Sequence, residues 1–391
     1  MPMHQVVILG AGAAGTAAAA AFSKAPGVHA TLMSASEEGS YNRTLVNKGV
    51  AAGLIEPGQA VLPDPGVPIV DGTARSVDAA AGSVLLTSGA SVDFDALVVA
   101  TGSGPRRLDA DLPGVGDVVG MGRLSTLHSM RDAVRVRDVL ARSPHPARVV
   151  VLGAGVLAAE TSALLRRAGQ EVAMVARSST PGCSAFGEVV ADRVAALHRT
   201  HVSTYFGRSV RALTVEGSAV TLVLDDRTRL GADLIVAAHG TVAVPPAPWT
   251  DGIEVDGYLR AIDTPHVYAA GGVAVHHHEA LGWWRIDPWA DAAAQGTHVA
   301  RSVLHDRGLG PDPGPYLARS TFSTRLYDQT LSGAGITGIF DSARVVSTDP
   351  LVVVHEQDDT AVAVVGLDAG RLVQDWAPRL HADSSAKRIR A

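Results

Sequence analysis

Val6-Val-Ile-Leu-Gly10-Ala-Gly12-Ala-Ala-Gly15-Thr-Ala-Ala-Ala-Ala-Ala-Phe22 is the stretch that decides the fold. Val6–Leu9 is a continuous apolar run, the pattern of a parallel strand buried on both faces. A glycine turn follows with no spacer, and Thr16–Phe22 is rich in the best helix former. His29–Met33 then supplies a second strand where a βαβ unit returns. In this order each glycine has its own task. Gly10 makes the turn, Gly12 lets the backbone approach a pyrophosphate, and Gly15 lets helix and strand pack closely. The helix start offers N–H groups and the positive end of its dipole to phosphates. Gly10, Gly12, Ala14 and Gly15 are therefore the first candidate binding residues.

The pattern occurs again. Val149–Leu152 runs into Gly153-Ala-Gly155-Val156-Leu-Ala158, a helix to Arg167 follows, and Glu171–Val175 is the next strand. One such turn is a common structural device, but two in register imply two dinucleotide sites. Ligands of open α/β sheets gather at the carboxyl ends of strands. That rule draws in Ala100-Thr101-Gly102 and Arg106 after the strand Ala96–Ala100, Gly240 after Leu234–Ala238, and Gly271-Gly272 after Val267–Ala270. Leu309–Pro315 reads as a linker, and β-prone runs at Leu351–Val354 and Ala361–Val365 predict a small α+β domain. The fold class is α/β: two Rossmann-like three-layer domains plus this C-terminal domain. The expected boundaries are 1–110 and 240–308 for the first dinucleotide-binding domain, 111–239 for the second and 309–391 for the last.

Composition narrows the function. Of 391 residues, 47% are hydrophobic and 18% charged, enough core for two or three domains. A net charge of −6 argues against a nucleic-acid partner. The single cysteine, Cys183, excludes a disulfide framework and an intrachain dithiol relay, and one buried thiol fits a reducing cytoplasm. No stretch has the length and apolarity of a membrane span. His276-His277-His278 lacks the spacing of a metal site and reads as a polar loop, so no metal is expected. Arg131, Arg135, Arg137 and Arg142 read as a solvated helix face, or as a docking patch for an acidic protein. A homodimeric assembly is left open.

Further motifs bring a family into view. Ala100-Thr101-Gly102 and Tyr268-Ala-Ala-Gly271 join the two glycine turns. Ser40-Tyr41-Asn42-Arg43-Thr44-Leu45-Val46-Asn47-Lys48 follows the second strand. Trp284-Arg285-Ile286-Asp287-Pro288-Trp289-Ala290-Asp291-Ala292 leads to Gln295-Gly296, and Phe322, Tyr327, Asp328, Leu331, Ala334 and Gly335 punctuate the C-terminal part. Together these resemble the pyridine nucleotide-disulfide oxidoreductase superfamily, and within it the FAD-dependent ferredoxin/rubredoxin reductases. The resemblance implies an enzyme that moves hydride from NAD(P)H to FAD and then single electrons to a small iron–sulfur protein serving an oxygenase. It also implies FAD contacts at Arg43, Lys48, Ala74, Thr101, Gly102 and Trp289. The nicotinamide dinucleotide would lie at Gly153, Gly155 and Val156. Lys48 and Glu160 are implied as a catalytic ion pair beside the flavin, where a cation stabilises arriving negative charge.

The chain also departs from that pattern. Gly272 stands where the branch has an aspartate for the flavin ribityl chain. The adenosine ribose would fall to Ser36 or, with a one-residue shift, Glu37. After the second strand of the second unit come Arg177 and Ser178, which suit the 2′-phosphate of NADPH better than the bare ribose of NADH. Ser323 and Arg325 replace an aromatic and an acid, which leaves the acceptor open. A same-fold flavoenzyme acting directly on a small molecule or oxygen is one alternative, and a non-enzymatic nucleotide binder is another.

Overall fold

The computed structural model describes residues 3–35, 38–143, 145–217, 219–278 and 282–381. The chain divides into two units. One comprises Met1–Asn42, Val61–Gly104 and Val242–Ser320; the other comprises Arg43–Ala60, Pro105–Thr241 and Thr321–Ala391.

The first unit is built on a five-stranded parallel sheet in the order Val267–Ala269, Ala96–Val99, His4–Leu9, Val28–Ser34, Ile69–Asp71. His4–Leu9 lies at its centre, with Val6 opposite Ala30 and Leu9 opposite Met33. Val6, Val7, Ile8 and Leu9 are all buried, which explains why the run is apolar without alternation. The helix Ala13–Phe22 packs on this strand, and Trp289–Asp306 packs on that helix in near-backbone contact. A Cβ on Gly296 would fall 2.0 Å from the Ala14 carbonyl oxygen, so only glycine permits the crossing.

The second unit repeats the plan. Its parallel sheet runs Ser203–Phe206, Glu171–Ala176, Arg148–Leu152, Leu234–Ala237, Leu124–Ser125. Again the strand that enters the glycine turn is central. The same unit holds a five-stranded antiparallel sheet, Thr321–Leu326 to Thr360–Leu367, with the helix Gly370–Trp376 against it. One face of this sheet (Leu326, Leu331, Val353, Val365) shares a core with Ala159, Ala163, Phe186 and Val190 from helices of the dinucleotide fold. The architecture is the α/β class with a C-terminal α+β part that the sequence predicts. Among the described residues no helix is long and apolar enough to cross a membrane.

Two local expectations are corrected. Cys183 is half-buried rather than buried, and it opens the helix Cys183–His201. His276-His277-His278 is not a polar loop; it forms most of the strand Ala274–His278, paired with Gly282–Trp284. His276 is buried and stacks on Trp284 with ring centroids 3.9 Å apart, so it behaves as a core aromatic. Local polarity suggested a loop, but stacking on tryptophan favours the neutral imidazole in a strand. Among the described residues no cluster of metal-ligating side chains occurs.

Buried imidazoles recur. Burial, with His201 nearby, pushes the His198 pKa down to about 4. Burial alone pushes that of His276 down to about 3. His298 and His355 are lowered by burial too. Each holds a proton less readily when folded than in the unfolded chain, where an imidazole protonates below about pH 6.5. The unfolded state then carries more protons, so stability falls with pH. Asp291, whose carboxyl is raised by burial, works in the opposite sense. With five imidazoles lowered, His239 among them, against one carboxyl raised, we expect the denaturation midpoint to drop progressively from pH 6.5 to pH 4. A midpoint that holds steady across that window would contradict this assignment.

Candidate functional site

In the first unit the glycine turn forms a lip at the carboxyl edge of the sheet. Gly10 N–H donates to the Met33 carbonyl at 2.8 Å, and Ala100 N–H donates to Leu9 at 2.8 Å, which pins the turn between its neighbours. A Cβ on Gly10 would lie 2.4 Å from the Ala100 oxygen, and Gly10 holds φ +102°. A Cβ on Gly15 would lie 1.8 Å from the Gly10 oxygen. Gly12 differs: nothing lies within 4 Å of where its Cβ would be, and it is the N-cap of Ala13–Phe22 with no side-chain cap. Uncapped first-turn N–H groups facing open space are what a pyrophosphate requires. Thr101 Oγ1, buried without a hydrogen-bond partner, adds an unmet polar group at this edge. The residues present therefore fit a dinucleotide. Ala14 lies in the first turn of the helix, Gly102 follows Thr101, and the Cβ of Gly271 would come within 3.1 Å of Ala14 Cβ. Ala74 begins the strand Ala74–Asp78, and Trp289 begins its helix half-buried. Ser36 and Glu37 lie outside the described residues.

The second unit carries the same construction. Gly153 N–H donates to Val175 at 3.0 Å, and a Cβ on Gly153 would lie 2.2 Å from the Ala238 oxygen. Gly155 is an uncapped N-cap with open space before it, and Val156 begins the helix Val156–Arg167. Ala158 takes the place of a third glycine and fits. At the same edge, His239 has its pKa lowered by burial and then by Arg177 and Arg106. Two guanidinium groups thus act on one half-buried imidazole. Arg106 N–H donates to the Gly240 carbonyl at 2.9 Å. Ser178 is tied into its own turn by a 2.8 Å bond to Thr180 O. The sequence places His239 beside Gly240 at a strand end, without marking it as a site residue.

Lys48 and Glu160 do meet. Lys48 Nζ lies 3.2 Å from Glu160 Oε1 and donates to the Ser323 carbonyl at 3.0 Å. Lys48 sits on a wide π-type turn, Val46–Ala51, a geometry frequent at functional sites. Glu160 is 7% exposed and also accepts from Asn47 Nδ2 at 2.9 Å and from the Thr324 hydroxyl. A buried carboxylate survives only with such partners. Asn47 and Thr324 were not legible in the sequence because both act across long separations. Arg43 Nη1 lies 2.8 Å from His128 Nε2. Arginine can only donate, so that nitrogen is the acceptor and the ring is neutral. Of the arginines on Met130–Arg142, Arg137 is half-buried and paired with Glu56 at 3.0 Å.

Comparison with known proteins agrees with this geometry. The family model for pyridine nucleotide-disulphide oxidoreductases matches residues 4–296. The chain is 28% identical over 377 residues to the ferredoxin reductase subunit of 5,5'-dehydrodivanillate O-demethylase from Sphingobium sp., covering 90% of this chain and 85% of that one. It is 30% identical over 235 residues to putidaredoxin reductase CamA of Pseudomonas putida, covering 56% and 52%. The reductase in a covalent putidaredoxin reductase–putidaredoxin complex superposes with a TM-score of 0.85 at 21% identity, over 99% of this chain and 96% of that one.

The two glycine roles separate experimentally. Gly12→Asp should leave stability within about 0.5 kcal/mol, since aspartate is a good N-cap. By occupying the N–H groups with its own carboxylate it should abolish dinucleotide binding in a titration. Gly15→Ala should instead cost about 3 kcal/mol in unfolding, because its methyl meets backbone. Equal destabilisation by both would show that the lip is not open.

Proposed function

The chain belongs to the pyridine nucleotide-disulphide oxidoreductases, and from that premise we infer that it is the reductase component of an oxygenase system, carrying electrons from NAD(P)H to a small iron–sulfur protein. The observation that carries this reading is the duplicated uncapped glycine lip, one in each unit. The relatives named as ferredoxin reductases support it.

FAD, when bound, supplies the chemistry that takes two electrons as hydride and releases them one at a time. The chain's own residues do the rest. Gly10, Gly12 and Gly15 with Thr101 hold FAD. Gly153, Gly155 and Val156 hold the nicotinamide dinucleotide, and Arg177 meets a 2′-phosphate, favouring NADPH over NADH. Glu160 and the Ser323 carbonyl take two of the three N–H bonds of Lys48 and fix its position. With FAD bound, the Lys48 ammonium would offset negative charge that develops on the cofactor. With Cys183 the only cysteine, electrons cannot leave through a protein disulfide, and in a reducing cytoplasm that thiol stays unpaired. A one-electron protein acceptor fits this constraint.

The purified protein should be yellow, its flavin absorbance should bleach on NADPH addition, and an iron–sulfur protein should be required to reduce a terminal one-electron dye. NADPH oxidation that proceeds at full rate on oxygen or an organic substrate, with no transfer to any ferredoxin, would replace this reading with a direct flavoenzyme. Arg177→Ala should raise the KM for NADPH about tenfold and leave that for NADH unchanged, since only the phosphorylated cofactor loses a charge-assisted bond.

A further inference from the structure

The space that a side chain at position 272 would occupy is filled by another residue's carboxylate. A Cβ added to Gly272 would fall 1.9 Å from Asp287 Oδ1 and 3.2 Å from Ser103 Oγ. Asp287 is steered there by Arg285, whose Nη1 donates to the Gly272 carbonyl at 2.9 Å and to Asp287 Oδ2 at 3.0 Å. One guanidinium group thus fixes both the glycine and the carboxylate. Gly272 follows the strand Val267–Ala269, and its neighbour Gly271 abuts Ala14 in the first helical turn.

That position has a chemical meaning. A dinucleotide has polyhydroxyl groups on both sides of its pyrophosphate. With the pyrophosphate at Gly12, the adenosine ribose belongs beyond the strand Val28–Ser34. The opposite side lies beyond Ala96–Val99 and Val267–Ala269, where Thr101, Ser103, Gly272 and Asp287 gather. For FAD the group on that side is the ribityl chain, a row of hydroxyl donors. We propose that Asp287, aimed by Arg285 across the space left by Gly272, is the carboxylate that accepts hydrogen bonds from the ribityl hydroxyls. The proposal rests on FAD occupying the first unit. It explains why residue 272 has no side chain: any Cβ there would displace the acceptor.

The test is FAD titration of the apoprotein by flavin fluorescence, with circular dichroism of each variant as the check on folding. Asp287→Ala should weaken FAD binding about tenfold, the value of one charge-assisted bond. Gly272→Asp should weaken it more, because its carboxyl is driven against Asp287. The double variant Gly272→Asp, Asp287→Gly restores one carboxylate and should recover to within a few-fold of wild type. Wild-type affinity in Asp287→Ala, or a double variant no better than Gly272→Asp alone, would overturn the inference and leave the proposed function standing. Wild-type protein that takes up no FAD would overturn both.

Discussion

Backbone pressed against backbone is the constraint on which each dinucleotide fold depends. At both lips the helix must start almost in contact with the strands that precede it, or its N-terminal N–H groups point past the ligand. Gly10 against the Ala100 oxygen and Gly153 against the Ala238 oxygen leave no room for a side chain. The contact is possible because central strands buried on both faces lie flat beneath it. Gly12 and Gly155 obey a different rule: the protein leaves the space before them empty, and the uncapped helix ends remain available. Packing glycines and binding glycines share one motif, yet only the former are demanded by the fold.

The Glu160 cluster shows the opposite economy. A carboxylate 7% exposed would be costly in isolation, so the chain surrounds it with three donors from two segments. Lys48 and Asn47 come from the π-type turn, and Thr324 comes from the antiparallel sheet. Asn47 Oδ1 in turn accepts from the Thr161 hydroxyl at 3.2 Å, which ties the amide back to the same helix. Such a network orients Lys48 rather than adding much net stability, because desolvation offsets most of the Coulomb gain.

What was legible in the sequence follows from range. The glycine turns, their strands and their helices are local patterns, and each could be read within about thirty residues of chain. Lys48 and Glu160 could be paired only through a resemblance, since no local rule joins residues so far apart. Asn47 and Thr324 escaped for that reason. His276 escaped for another: three adjacent histidines look polar, but a neutral imidazole stacked on Trp284 is an aromatic core residue. Gly272 was legible as a departure but not as an accommodation, because the carboxylate that fills its space belongs to a neighbouring segment.

The strand Thr321–Leu326 holds both members of the ion pair. Ser323 offers its carbonyl to Lys48 and Thr324 its hydroxyl to Glu160, so this strand sets where the ammonium group stands. The side chain of Ser323 is not used in that contact, and Arg325 Nε is turned back onto the Tyr327 carbonyl at 3.0 Å. The replacements at positions 323 and 325 therefore leave the backbone and hydroxyl contacts to the ion pair in place. The exposed side chains of this strand can vary, while the contacts to the ion pair come from a carbonyl, which accepts from Lys48, and a buried threonine, which donates to Glu160. Separating those two demands on one strand lets the exposed side chains change without disturbing the ion pair.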